Sequence, residues 1–135
     1  MPPGSPSHPA LTPRRSPLLT LVAALVIVEA LILVGAAVYL LHGLLVEDAA
    51  APIAAIAMVV MALIFAVGVG FCGWGLLHRA TWARSPVVVW QLLELAAGIP
   101  AFSGGSPWVG VVLVVPAVVV LVGLFVPSVS AQVSR

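Results

Sequence analysis

Charge is what this sequence has least of. Five cationic and four acidic side chains are all the formal charge in 135 residues, 7% of the chain. An ordinary soluble domain carries about 25%. So few charges cannot clothe a globule of this size in water, and with 63% hydrophobic residues the solvent has to be lipid. There is one cysteine, Cys72, which excludes an intrachain disulfide and a multi-cysteine zinc site. Its apolar surroundings in the sequence read as those of a buried, inert thiol. His8, His42 and His78 are too scattered to share a metal, and no metal or cofactor is expected. The sequence also lacks a phosphate loop, a serine–histidine–acid arrangement and a basic aromatic groove. The expected function is therefore non-enzymatic, with no nucleic-acid partner.

What the chain does have is four long apolar stretches, each opening on a proline: Pro17, Pro52, Pro86 and Pro107. Proline is tolerated at the first helical position because that N–H has no partner within the helix. Three of the four follow a serine, Ser16, Ser85 and Ser106, the residue type that caps helix N-termini. These signals predict helices over about 17–42, 52–78, 86–101 and 107–127. Residues 1–16, rich in proline and serine, read as a disordered tail, and 128–135 as a second short tail. A signal peptide has an apolar core of only about 7–15 residues. The first stretch is far longer and contains Glu29, so it reads as a retained helix. The third is the shortest, roughly 24 Å at about 1.5 Å per residue, thin for a hydrocarbon core of about 30 Å.

Arginine placement supplies the topology. Arg14 and Arg15 precede the first stretch, Arg79 and Arg84 separate the second from the third, and Arg135 follows the fourth. Four crossings put all of these on one side and Glu47 and Asp48 on the other. Basic short loops stay cytoplasmic, so the expected fold class is an all-α membrane four-helix bundle with both termini cytoplasmic. The chain is expected to cross its membrane several times. Arg79, Trp82 and Arg84 read as anchors at the cytoplasmic interface, with Trp108 at the opposite one.

Two carboxylates sit inside the predicted spans, Glu29 about 18 Å from Pro17 and Glu94 about 12 Å from Pro86. A charged residue at helix centre costs about 2.5–3.5 kcal/mol on insertion scales. No arginine or lysine lies in any span to neutralise one. Gln91, three residues before Glu94, shares its helix face. The first and third helices run in the same direction, so Glu29, Gln91 and Glu94 can meet at similar depth as a protonated or proton-sharing cluster. One reading is a proton- or cation-coupled site. The other is an interhelical hydrogen bond, worth about 1 kcal/mol in membranes.

Gly68-Val69-Gly70-Phe71-Cys72-Gly73 spells G-x-G-x-x-G, but a dinucleotide loop needs a strand before it and a helix after it. Within an apolar span the glycines mean close packing. Ala62, Ala66 and Gly70 recur every four residues, with Gly73 extending the same side, a face that lets backbones approach. Pro116 is expected to interrupt the fourth helix and kink it.

Arg79, then Trp82-Ala83-Arg84-Ser85-Pro86, then Trp90-Gln91-Leu92-Leu93, resembles small integral membrane proteins of actinobacteria. That resemblance covers about the middle third of the chain and implies a bacterial plasma membrane without implying an activity. Glu29 in the first span is similar in placement to the essential glutamate of small multidrug-resistance transporters. This chain departs from them in its proline-rich tail, its second membrane glutamate and its lack of the aromatic residues that surround their site. The leading expectation is a non-enzymatic packing or accessory subunit, in a homo-oligomer or a larger membrane complex. The alternative is a small proton-coupled transporter of hydrophobic cations using Glu29, Glu94 or both.

Overall fold

Proline marks where three of the four long helices begin, and lipid-compatible side chains carry them onward. The computed structural model describes Gly4, Arg14, residues 16–46 and residues 50–133. Most of the expected N-terminal tail, His8 within it, lies outside the described residues. So do Arg15, Glu47, Asp48 and Arg135. Helix α1 spans Pro17–Val46, α2 Pro52–Leu77, α3 Arg84–Ala101, α4 Pro107–Phe125 and α5 Pro127–Val133, and a 3₁₀ turn at Thr81–Ala83 leads into α3. Among the described residues there is no strand. The fold is all-α.

Pro52 and Pro107 stand in the first turns of α2 and α4. The serine caps do not form as the sequence suggests. Ser106 precedes α4 without a side-chain cap bond, and Ser85 lies inside α3, which starts at Arg84. The reason is the preceding turn. Helix α2 ends in a Schellman arrangement, with Ala80 N–H donating to Gly75 O at 2.9 Å and Arg79 N–H to Leu76 O at 3.0 Å. Arg79 takes the left-handed conformation there, φ 56°, and the 3₁₀ turn delivers the chain already helical at Ala83. Helix α1 also runs past its expected end near His42 to Val46, and Gly43 has nothing close to it.

Residues 128–135, read as a tail, instead lie largely in α5. Val129 and Val133, one turn apart, bury against the main core, and Pro127 opens the helix after extended Val126. Gln132 ties it to the start of the chain. Its Oε1 accepts from Ser16 N–H at 3.3 Å and its Nε2 donates to Arg14 O at 3.5 Å.

Helices α1, α2 and α4 are long and apolar enough to cross a membrane. Helix α3 is not counted with them: it has 18 residues and carries Arg84, Gln91 and Glu94. Leu31, Val38, Ile53, Val67 and Val122 stand exposed. Helices apolar on every side belong in lipid.

Packing runs α1 to α2, α2 to α3, α3 to α4 and α4 back to α1, a ring in which α1 and α3 are diagonal. The core gathers at the arginine end: Leu19, Val22, Leu76, Val87, Val120 and Leu124 are almost wholly buried. Gly123 lets Val22 lie against the α4 backbone, and Gly73 does the same for Ile27 of α1. In the second half of α1 only Ala37 is buried beyond Ala30. The bundle is therefore tight near the arginines and opens toward the other end. Glu29 sits where one regime gives way to the other.

Candidate functional site

Three polar side chains lie inside this apolar bundle: Glu29 at 5% exposure, Glu94 at 8% and Gln91 at 0%. They come from the diagonal helices. Gln91 and Glu94, one turn apart on α3, share the face turned inward across the ring. Gln91 Nε2 donates to Glu29 Oε2 at 2.9 Å. Glu94 lines the same cavity as Glu29. Helices α2 and α4 contain no charged residue, so neither brings a cation to this acid pair.

The cluster is only partly satisfied. Glu29 Oε1, Gln91 Oε1, Glu94 Oε2 and Trp90 Nε1 are buried without a hydrogen-bond partner. Both glutamates face one cavity of about 300 Å³. Its wall is otherwise apolar, with Ile32 of α1, Phe65 of α2, Trp90 of α3 and Pro116 of α4 among the lining residues. Phe65 and Trp90 pack ring to ring, centroids 5.3 Å apart and planes tilted by 42°. Pro116 has no N–H to offer the carbonyl of Val112 one turn earlier, and both residues line the chamber. The chamber thus offers two carboxyls, two aromatic faces and a helix turn lacking one internal bond. Such a lining suits a ligand that is cationic and apolar.

The other residues singled out in the sequence form two further groups. Ala66 and Gly73 are buried and Ala62 and Gly70 partly so. A Cβ added at Gly70 would meet Ala30 at 3.5 Å, and one at Gly73 would meet Ile27 and Val26, so this side of α2 meets α1. Arg79, Trp82 and Arg84 gather at the tight end with an aromatic group. Trp82 stacks on Phe71 at 5.0 Å, Phe71 on Trp74 at 5.7 Å, and Trp74 lies 4.3 Å from the His78 ring. Arg84 sits over the Phe125 ring at 5.2 Å. Gly75 leaves the room that Trp82 and Ala83 occupy. Trp108 is 69% exposed at the opposite end. Among the described residues no group of three or more histidine, cysteine or acidic side chains could hold a metal.

Sequence reasoning missed Phe65 and Trp90. Trp90 is spaced i, i+4 from Glu94 and so shares its face, a signal that was available. Phe65 carried none, because its neighbour across the ring depends on helix order. Comparison with protein-family models, curated proteins and solved structures finds no match.

Proposed function

We propose that the protein is a four-crossing membrane protein of a bacterial plasma membrane, both termini cytoplasmic, whose acidic chamber exchanges a proton for a lipophilic cation. In this reading it is a small proton-coupled carrier and not an enzyme. The topology is supported by the shared end of the molecule at which Arg14, Gln132, Arg84 and Trp82 gather. Helix α3, about 27 Å long, spans with its ends in the interfaces, where Arg84 and Phe102 meet the headgroups.

One observation carries the functional reading. Two carboxyls, each nine-tenths buried, hold oxygens without partners on the wall of a shared cavity. A polar cluster kept only to lock helices together is stable when every member is satisfied, and half-satisfied it is worse than an apolar core. Here four polar atoms are left over. A cation in the chamber would meet the carboxylate oxygens and the Trp90 and Phe65 faces together. In its absence a proton on each carboxyl neutralises the pair, since an uncompensated charge at this depth costs about 3 kcal/mol, and an arriving cation displaces one of the two protons.

A packing or accessory role has its own support in the Gln91–Glu29 bond, which ties α1 to α3 across the diagonal. It accounts for Gln91 and leaves Glu94 without a purpose. The two readings separate in a binding experiment with tetraphenylphosphonium on the protein in lipid nanodiscs. The carrier reading expects saturable binding that weakens as pH falls and is lost in Glu29→Gln and Glu94→Gln, with both variants folded. Binding absent from the wild type, or unchanged in both variants, overturns it.

A further inference from the structure

A second cavity, about 470 Å³, lies in the seam between α2 and α3, which pack over a much shorter stretch than α1 and α2 do. Its walls include Ile64, Gly68 and Cys72 of α2 and Pro86 and Val89 of α3. It runs from Pro86, two residues into α3 at the arginine end, up to Leu93. Phe65, Trp90 and Leu93 line this seam and the acidic chamber alike. The tilted Phe65–Trp90 pair is therefore the partition between an apolar space that starts beside the interfacial arginines and the two buried carboxyls. Ile64 and Val89 stand largely exposed on the outer face of the seam, where lipid meets it.

From this continuity we infer that the α2–α3 seam is the lipid-side entrance to the acidic chamber, with the Phe65–Trp90 pair as its inner door. The inference rests on the carrier reading above. Its occupant is a lipophilic cation arriving from the inner-leaflet interface. An apolar framework moves along the seam without leaving a hydrocarbon-like surface. The positive charge passes the Trp90 face, where ring and cation attract, before it reaches Glu94 and Glu29. The chamber walls bring no second aromatic pair: of the lining residues only Phe65 and Trp90 are aromatic. The side bounded by α1 and α4 consequently lacks an equivalent way-station for charge.

An entrance and a seat differ in kinetics. Gly68 lines the seam, and a Cβ added there meets nothing within 4 Å, so Gly68→Leu is the variant that fills the passage. Val89→Phe narrows it from the other wall and serves as the independent variant should the first lose its fold. The probe is tetraphenylphosphonium, with association and dissociation followed by stopped flow on the protein in lipid nanodiscs. Blocking an entrance slows both rates together, on the order of tenfold, and leaves the equilibrium affinity as it was. Unchanged rates in both variants would overturn the inference while leaving the chamber reading intact. Weakened affinity with an unchanged association rate would also overturn it, because the seam would then be part of the seat. A wild-type protein that binds no cation removes the carrier reading itself, and the entrance with it.

Discussion

Gln91 is wholly buried and donates its only recorded side-chain bond to Glu29, so Gln91→Leu tests what the diagonal contact is worth. Leucine is close to glutamine in volume, so the change leaves no large void. It strips Glu29 of its partner, and Glu29 Oε1 is already without one. Interhelical bonds in membranes average about 0.6 kcal/mol and reach about 1.7, while an abandoned buried polar group costs about 1–3 kcal/mol. The expected loss is about 1 kcal/mol. Glu29→Leu alone leaves the Gln91 amide unpartnered and costs a similar amount. In the double variant neither partner of this bond is left abandoned, and replacing both by apolar groups is close to neutral. Its stability should lie within about 0.5 kcal/mol of wild type, giving a coupling of about 1.5–2 kcal/mol. Unfolding by sodium dodecyl sulfate titration in mixed micelles, read by circular dichroism, measures all four corners. Single losses that simply add in the double variant would refute the contact.

Gly123→Leu should destabilise the bundle by about 1–3 kcal/mol, because the added side chain would occupy the space of Val22. Gly68→Ala, open on every side, should instead gain up to about 1 kcal/mol through helix propensity alone; the same titration checks both. Under the proposed topology, green fluorescent protein fused after Arg135 should fluoresce, and a dark fusion paired with an active periplasmic alkaline phosphatase fusion would reverse it. Gln132→Ala should loosen α5, which Ser16 and Arg14 hold through that side chain, and speed amide exchange over 127–133 without changing exchange near Val26.

How much of this was legible follows from what each signal depends on. Prolines at helix starts are local, and Pro52 and Pro107 stand where the sequence put them. The shared depth of Glu29 and Gln91 was legible because two helices of known direction and length fix depth without fixing neighbours. Helix order was not legible, since helices apolar on every side carry no stripe to say which face meets which. With order went Phe65, the chamber and the seam. Residues 127–133 were passed over because seven residues with two valines a turn apart look like any short tail until the core they cover exists. The glycines at 98, 110 and 123, each crowded by a neighbouring side chain, likewise need a partner surface before they mean anything.

Difference infrared spectroscopy on adding tetraphenylphosphonium at neutral pH tests the proton-for-cation exchange most directly. The account predicts that intensity in the protonated-carboxyl region falls as the cation binds, and that this change disappears in the Glu29→Gln/Glu94→Gln double variant. Cation binding with no change in that region would contradict it.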